Sequence, residues 1–149
     1  MFDQEKFTDR LLEQMTLNEL EAKDLARETK ISHSIVCNLR KGRYAKPSTE
    51  VLFTLIEYFN CSAVYMLGLL DFPPDNMKYY PPLHNYNTRI RALLKEKSIT
   101  QERFEKEMKI SSFLVYKWLY TDTLPTVDYL IKLAEYFEMS VDVFIQRIK

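Results

Sequence analysis

Apolar residues along the chain recur at three- and four-residue spacing, the period of an amphipathic helix, in short runs broken by polar turns. Val51, Leu52, Leu55, Ile56 and Phe59 form one such stripe, and Tyr129, Leu130, Leu133, Ala134 and Phe137 form another 78 positions further on. The pattern predicts helices near 3–15, 21–29, 32–40, 48–59 and 62–69, and again near 86–97, 100–108, 111–120, 126–137 and 140–148. Ser32, Ser48 and Ser62 stand at helix starts in the first set, and Ser111, Thr126 and Ser140 in the second. Each offers a side-chain oxygen to a backbone N–H that the helix itself leaves unpaired.

The ten predicted helices are one set of five written twice. At an offset of 79, Glu28, Lys30, Ile31, Ser32 and Val36 recur as Glu107, Lys109, Ile110, Ser111 and Val115, while Phe7, Arg10, Leu11 and Met15 face Tyr86, Arg89, Ile90 and Leu94. One deletion near Ala45 changes the offset to 78, and Pro47, Leu52, Leu55, Glu57, Tyr58, Phe59 and Ser62 then face Pro125, Leu130, Leu133, Glu135, Tyr136, Phe137 and Ser140. A repeat of this kind means two copies of one structural unit. The expected organisation is all-α, with a first domain at 1–69, a linker at 70–85 and a second domain at 86–149. Pro73, Pro74, Pro81 and Pro82 bar regular helix from the linker. Its tyrosines and His84 are expected to pack on the flanking domains, a pocket near Tyr79, Tyr80 and Tyr86 being the alternative.

Composition narrows the function classes. Hydrophobic residues at 46% and charged residues at 28% permit a packed core, and only two glycines disfavour hairpin-rich β architecture. The formal net charge is zero, so any case for a polyanionic partner rests on local charge. Cys37 and Cys61 are too few for a disulfide framework and lack metal-ligand spacing; they are expected as buried or half-buried thiols in a reducing compartment. With two histidines far apart, no glycine-rich phosphate loop and no nucleophile signature, no catalytic residue, metal or cofactor is expected, and the chain does not read as an enzyme. The N-terminus is polar and acidic, and no apolar run approaches 18 residues, which predicts a cytoplasmic protein without a membrane segment.

Residues 25–69 carry Leu25-Ala26, Ile31-Ser32, Val36 and Leu39, Gly42 and Pro47 at spacings that resemble the phage repressor and Cro type of helix-turn-helix regulator, the xenobiotic-response-element family. Residues 104–146 resemble the same family. The resemblance implies two tandem five-helix lambda-repressor-like domains, of prokaryotic or phage type. It further implies a double-stranded DNA partner and a role in transcription regulation, most simply as a repressor. A short helix, a tight turn at 29–32 and a second helix present the latter as a rod that fits the ~12 Å major groove.

In the third helix, Ile35, Val36 and Leu39 are expected to turn inward. His33, Ser34, Cys37 and Asn38 then stand at base-reading positions, Asn38 because an amide bonds adenine bidentately. The segment RKGRYAK at 40–46 is the densest basic run, and Ser32, Lys41, Arg43 and Lys46 are the expected phosphate contacts. Arg40 departs from the family, which commonly places an acid there to pair with a basic residue on the first helix; Met15 stands at the partner position.

The second unit differs. Its outward positions are Ser112, Phe113, Tyr116, Lys117 and Tyr120, and TDTLP replaces the basic loop. Gln101 stands where the family uses a glutamine to bond DNA backbone. These six residues are candidates for DNA or for a protein partner, since exposed aromatics mark interfaces. A protein-interaction or dimerisation module on the same scaffold, antitoxin-like or a regulator's partner, is therefore the alternative reading. A chain using both units on one duplex, a homodimer through the second units and one through the first units all stay open. No small-molecule effector is suggested.

Overall fold

The computed structural model describes residues 2–42, 46–74 and 76–148 and contains helices without strands among them. The first unit holds α1 (Gln4–Leu17), α2 (Ala22–Thr29), α3 (His33–Lys41), α4 (Thr49–Tyr58) and α5 (Ala63–Met66). The second holds α6 (Tyr86–Glu96), α7 (Gln101–Met108), α8 (Ser112–Tyr120), α9 (Val127–Tyr136) and α10 (Val141–Phe144). The expected caps are in place: Ser32 Oγ accepts from the Ile35 N–H at 3.2 Å, and Ser48, Ser62, Ser111, Thr126 and Ser140 each cap their helix in the same way.

The backbone repeats at four left-handed turns, though not after the third helix, where Gly42 is left-handed and its counterpart Thr121 extended. Glu19, Lys30, Asn60 and Gly68 adopt positive φ, as do their counterparts Ser98, Lys109, Glu138 and Gln146. The last pair explains one departure from expectation: α5 and α10 stop at Met66 and Phe144, short of residues 69 and 148. Each turns left-handed two residues past its end. At Gly68, with φ of +78°, a Cβ would come within 2.7 Å of Lys6 Cβ, so a side chain is barred by both backbone and space.

Equivalent residues build equivalent cores. Phe7, Leu11, Leu25, Val36, Leu52 and Leu55 are buried in the first unit, and Tyr86, Ile90, Phe104, Val115, Leu130 and Leu133 in the second. Ile35 corrects the sequence reading: it is 42% exposed. Helix α3 packs on α1 and α2 through Val36 and Leu39, three residues apart, and Ile35 lies 100° round the helix from Val36.

The arginines repeated on the first helix of each unit act as clamps. Arg10 donates to the carbonyls of Leu70 and Asp71 at 3.2 and 3.3 Å, and Arg89 to those of Val143 and Phe144, both at 3.1 Å.

The two cores form one cluster. Phe53 of α4 stacks on Tyr86 of α6 at 6.3 Å between ring centroids, and His84 meets Phe53 edge-on. The linker runs back along the C-terminus, with the Tyr80 and Leu83 N–H groups donating to the carbonyls of Arg147 and Ile145 at 2.7 and 2.9 Å. Between the units, α5 packs on α10. Asp142, buried at the start of α10, accepts from Ser62 Oγ and the Ala63 and Val64 N–H groups at 2.7, 2.8 and 3.1 Å. Arg147, also buried, donates to the carbonyls of Cys61 at 2.7 Å, Tyr80 at 3.0 Å and Ile56 at 3.1 Å, beneath the Tyr79 ring.

Candidate nucleic-acid interface

The turn between α2 and α3 is made by Lys30, which leaves α2 with φ of +63°, and by Ile31, whose buried side chain plugs the corner. Thr29 Oγ1 donates to the Leu25 carbonyl at 2.6 Å and accepts from the Ile31 N–H at 3.3 Å, so the turn's polar groups are satisfied locally. The far end of α3 closes on Gly42 at φ of +66°, where Gln4 Nε2 donates to its carbonyl at 2.6 Å. Thr8 Oγ1 donates to the Leu39 carbonyl at 3.4 Å. Sequence reasoning missed these α1 clamps, because a side chain-to-backbone bond spanning 31 or 38 residues leaves no periodic trace. A weak signal exists: the residue facing Thr8 at offset 79 is Asn87, whose amide donates to the Thr121 carbonyl at the end of α8.

Held in this way, α3 turns a polar face outward. Ser32, His33 and Ser34 are exposed at its start, Cys37 and Asn38 are half-buried along it, and Arg40 and Lys41 are exposed at its end. The Cys37 Sγ lies 3.6 Å from His33 Nε2, which ties those two side chains together on one edge. The Asn38 amide makes no hydrogen bond to another described residue, leaving its donor and acceptor free. No acid occurs on α3. Arg40 and Lys41 stand at the C-terminal, electronegative end of the helix, a favourable place for cations. The face can therefore donate and accept hydrogen bonds and carries positive charge at its end.

The sequence predicts two phosphate contacts beyond α3, Arg43 and Lys46. Arg43 lies outside the described residues. Lys46 forms an ion pair with Asp128 of the second unit, so its ammonium is already engaged between the units.

On α8, Phe113, Tyr116 and Tyr120 are 68, 54 and 53% exposed. Tyr116 and Tyr120 pack together at 5.3 Å, the Lys117 ammonium sits 4.8 Å from the Phe113 ring, and the Arg91 guanidinium 5.8 Å from the Tyr120 ring. Aromatic surface and cations thus alternate. Gln101, at the start of α7, donates to Glu105 at 3.3 Å, and Glu105 accepts from Ser112 Oγ at 3.2 Å, so Gln101 is coupled to the first residue of α8 through a carboxylate.

Perturbed titrating groups lie in the scaffold. Burial pushes the Cys61 thiol up to about 12, which keeps it protonated and unreactive at neutral pH. Tyr136 is pushed up to about 12 by burial and by its hydrogen bond to Glu107, at 2.7 Å. The Glu107 carboxyl is held below its usual range by that same bond and then by Arg103. The repeated pair Tyr58 and Glu28 makes the equivalent bond in the first unit, raising Tyr58. No group of three or more His, Cys, Asp or Glu side chains among the described residues is placed to hold a metal, and no helix among them is long and apolar enough to cross a membrane.

Residues 10–64 match the family model of the Cro/C1-type helix-turn-helix DNA-binding domain, and residues 90–144 match a helix-turn-helix model. No curated protein and no solved structure matches the chain. The two matched spans cover the turns at α2–α3 and α7–α8, and such domains indicate a DNA-binding regulator. The chain is a tandem pair of Cro/C1-type helix-turn-helix domains.

Proposed function

We propose that the protein is a sequence-specific transcriptional repressor that reads the DNA major groove with α3. The observation that carries this reading is the acid-free outer face of α3, with His33 and Ser34 exposed at its start, Asn38 along it, and Arg40 and Lys41 at its end. Asn38 reads a base edge; Ser32, Arg40 and Lys41 hold phosphate and fix the register. Lys46, already paired with Asp128, contributes less to phosphate than Lys41. Repression follows by occlusion when the occupied site overlaps a promoter.

The test is binding of the full chain to duplexes selected from a random pool, at low and moderate salt, followed by a promoter fusion carrying the selected site. Sequence-selective, salt-sensitive binding and lowered reporter output are expected; binding indifferent to sequence, or to Asn38→Ala, would sink the reading. A second reading, a protein-docking module, is favoured by one observation, the exposed aromatic strip of α8. It predicts no salt-sensitive DNA binding at all.

A further inference from the structure

Residues 46–50 and 124–128 line the same cleft between the units. These five-residue segments are each other's counterparts at offset 78. Helices α5 and α10, also counterparts, pack on each other. Within that contact, the Asp142 carboxylate accepts from the N–H of Val64, its own counterpart, at 3.1 Å. When equivalent parts meet one another, and a residue meets its own equivalent, the relation between the halves is an isologous two-fold with its axis through that contact. We propose that one chain is the complete DNA-binding unit: an internal two-fold in which α3 and α8 read the two unlike halves of one asymmetric duplex site. This rests on the reading of α3 given above and extends it to α8.

Each recognition helix is followed in sequence by the segment that lies at the axis. Helix α3 ends at Lys41, just before 46–50, and α8 ends at Tyr120, just before 124–128. A two-fold that brings these segments together carries α3 onto α8, the arrangement by which paired helix-turn-helix units address half-sites about 10 bp apart. The halves are also fixed to each other. Thr49 Oγ1 donates to the Pro125 carbonyl, Lys46 pairs with Asp128, and the Asp142 and Arg147 contacts seal the α5–α10 end. Association with a second chain is not needed to orient the two readers.

The two half-sites differ because the readers differ. His33, Ser34 and Asn38 have Ser112, Phe113 and Lys117 as counterparts. Lys117 suits guanine and Phe113 a thymine methyl, where Asn38 suits adenine. The Ser112 hydroxyl is already bonded to Glu105, so Lys117 and Phe113 carry the readout on this side.

The test uses the full chain on duplexes of about three helical turns selected from a random pool, with native mass spectrometry of the complex and hydroxyl-radical footprinting. The expected result is a non-palindromic consensus of two blocks about 10 bp apart, bound by one chain. Asn38→Ala should erase preference in one block and Lys117→Ala in the other, each weakening binding about five- to a hundredfold. Half a turn of DNA inserted between the blocks should abolish joint recognition, and a full turn should not restore it, since the halves are rigidly joined. A palindromic consensus holding two chains would overturn the proposal and leave α3 reading intact; so would a single block indifferent to Lys117→Ala, the result expected if the α8 aromatics dock protein instead. No enrichment of any sequence would overturn the α3 reading and this proposal with it.

Discussion

Helices α3 and α8 are set in nearly the same frame and present opposite surfaces. Both are capped by a serine and pack through Val36 and Leu39 or Val115, Trp118 and Leu119. Both have their last turn clamped by a polar residue of the unit's first helix, Thr8 or Asn87. Outward, one shows His33, Ser34 and Asn38 and ends in Arg40 and Lys41, whereas the other shows Phe113, Tyr116 and Tyr120 with Lys117 among them. The inward positions are held by close packing, where a changed volume costs stability. Outward positions carry no such cost and are free to take whatever the partner requires.

Exchanging counterpart residues tests how far that division holds. The largest effect is expected from Arg147→Leu, which copies Leu69 of the first unit. It leaves the buried Cys61 carbonyl without its donor, at roughly 1–3 kcal/mol, and strips the charged partner from that of Ile56, which keeps the Cys61 N–H at 3.0 Å; the loss is measurable as a lower urea midpoint. Next is the left-handed position after α5 and α10. Gly68→Ala should cost roughly 2 kcal/mol from φ and the contact with Lys6, whereas Gln146→Gly should gain at most about 1 kcal/mol by relieving the same conformation.

On DNA, the double change Arg40→Ala and Lys41→Ala should reduce the slope of log affinity against log salt by about 2, while Lys46→Ala should change it by much less.

The smallest effect concerns the tyrosine–carboxylate bond shared by the units. Glu107, depressed in the fold, contributes stability above the usual carboxylate range and loses it as pH falls through its lowered value. Tyr136 behaves in the opposite sense, contributing fully below pH 10.0 and losing that contribution as pH rises to about 12. Tyr136→Phe should remove the alkaline loss and cost about 1 kcal/mol at neutral pH, read from urea midpoints across the pH range. If instead Tyr58→Phe in the first unit proved severalfold more costly, the two frames would not be energetic equivalents.

Much of this was readable in the chain itself. The repeat, six of the seven hydroxyl caps among the described residues (Thr100 of α7 being the one missed) and the core stripes on α4 and α9 were legible because capping and helical periodicity act within a few residues. The divergence of α8 was legible position by position, since the offset aligns it with α3. Three features were not. Ile35 was expected inside, but an apolar residue at a helix start is buried only if a neighbour covers that side, and α3 is covered on one stripe alone. The shortness of α5 and α10 depends on left-handed turns, one of them at a glutamine that no propensity marks. Asp142 and Arg147 look like ordinary surface charges in sequence; only the packing of α5 on α10 buries them and supplies their partners.

Those two residues bear on how the protein would respond to its own concentration. They occur in one copy of the repeat, where the other has Val64 and Leu69. A first unit meeting another first unit would offer no carboxylate to the Ala63 N–H and no guanidinium to the Cys61 carbonyl, so the second unit is a better partner for it than the first unit of a sibling chain. A regulator that must first dimerise has a threshold set by its own association equilibrium. If one chain is the complete DNA-binding unit, as proposed, that threshold is absent and occupancy of a site rises in simple proportion to protein at low levels.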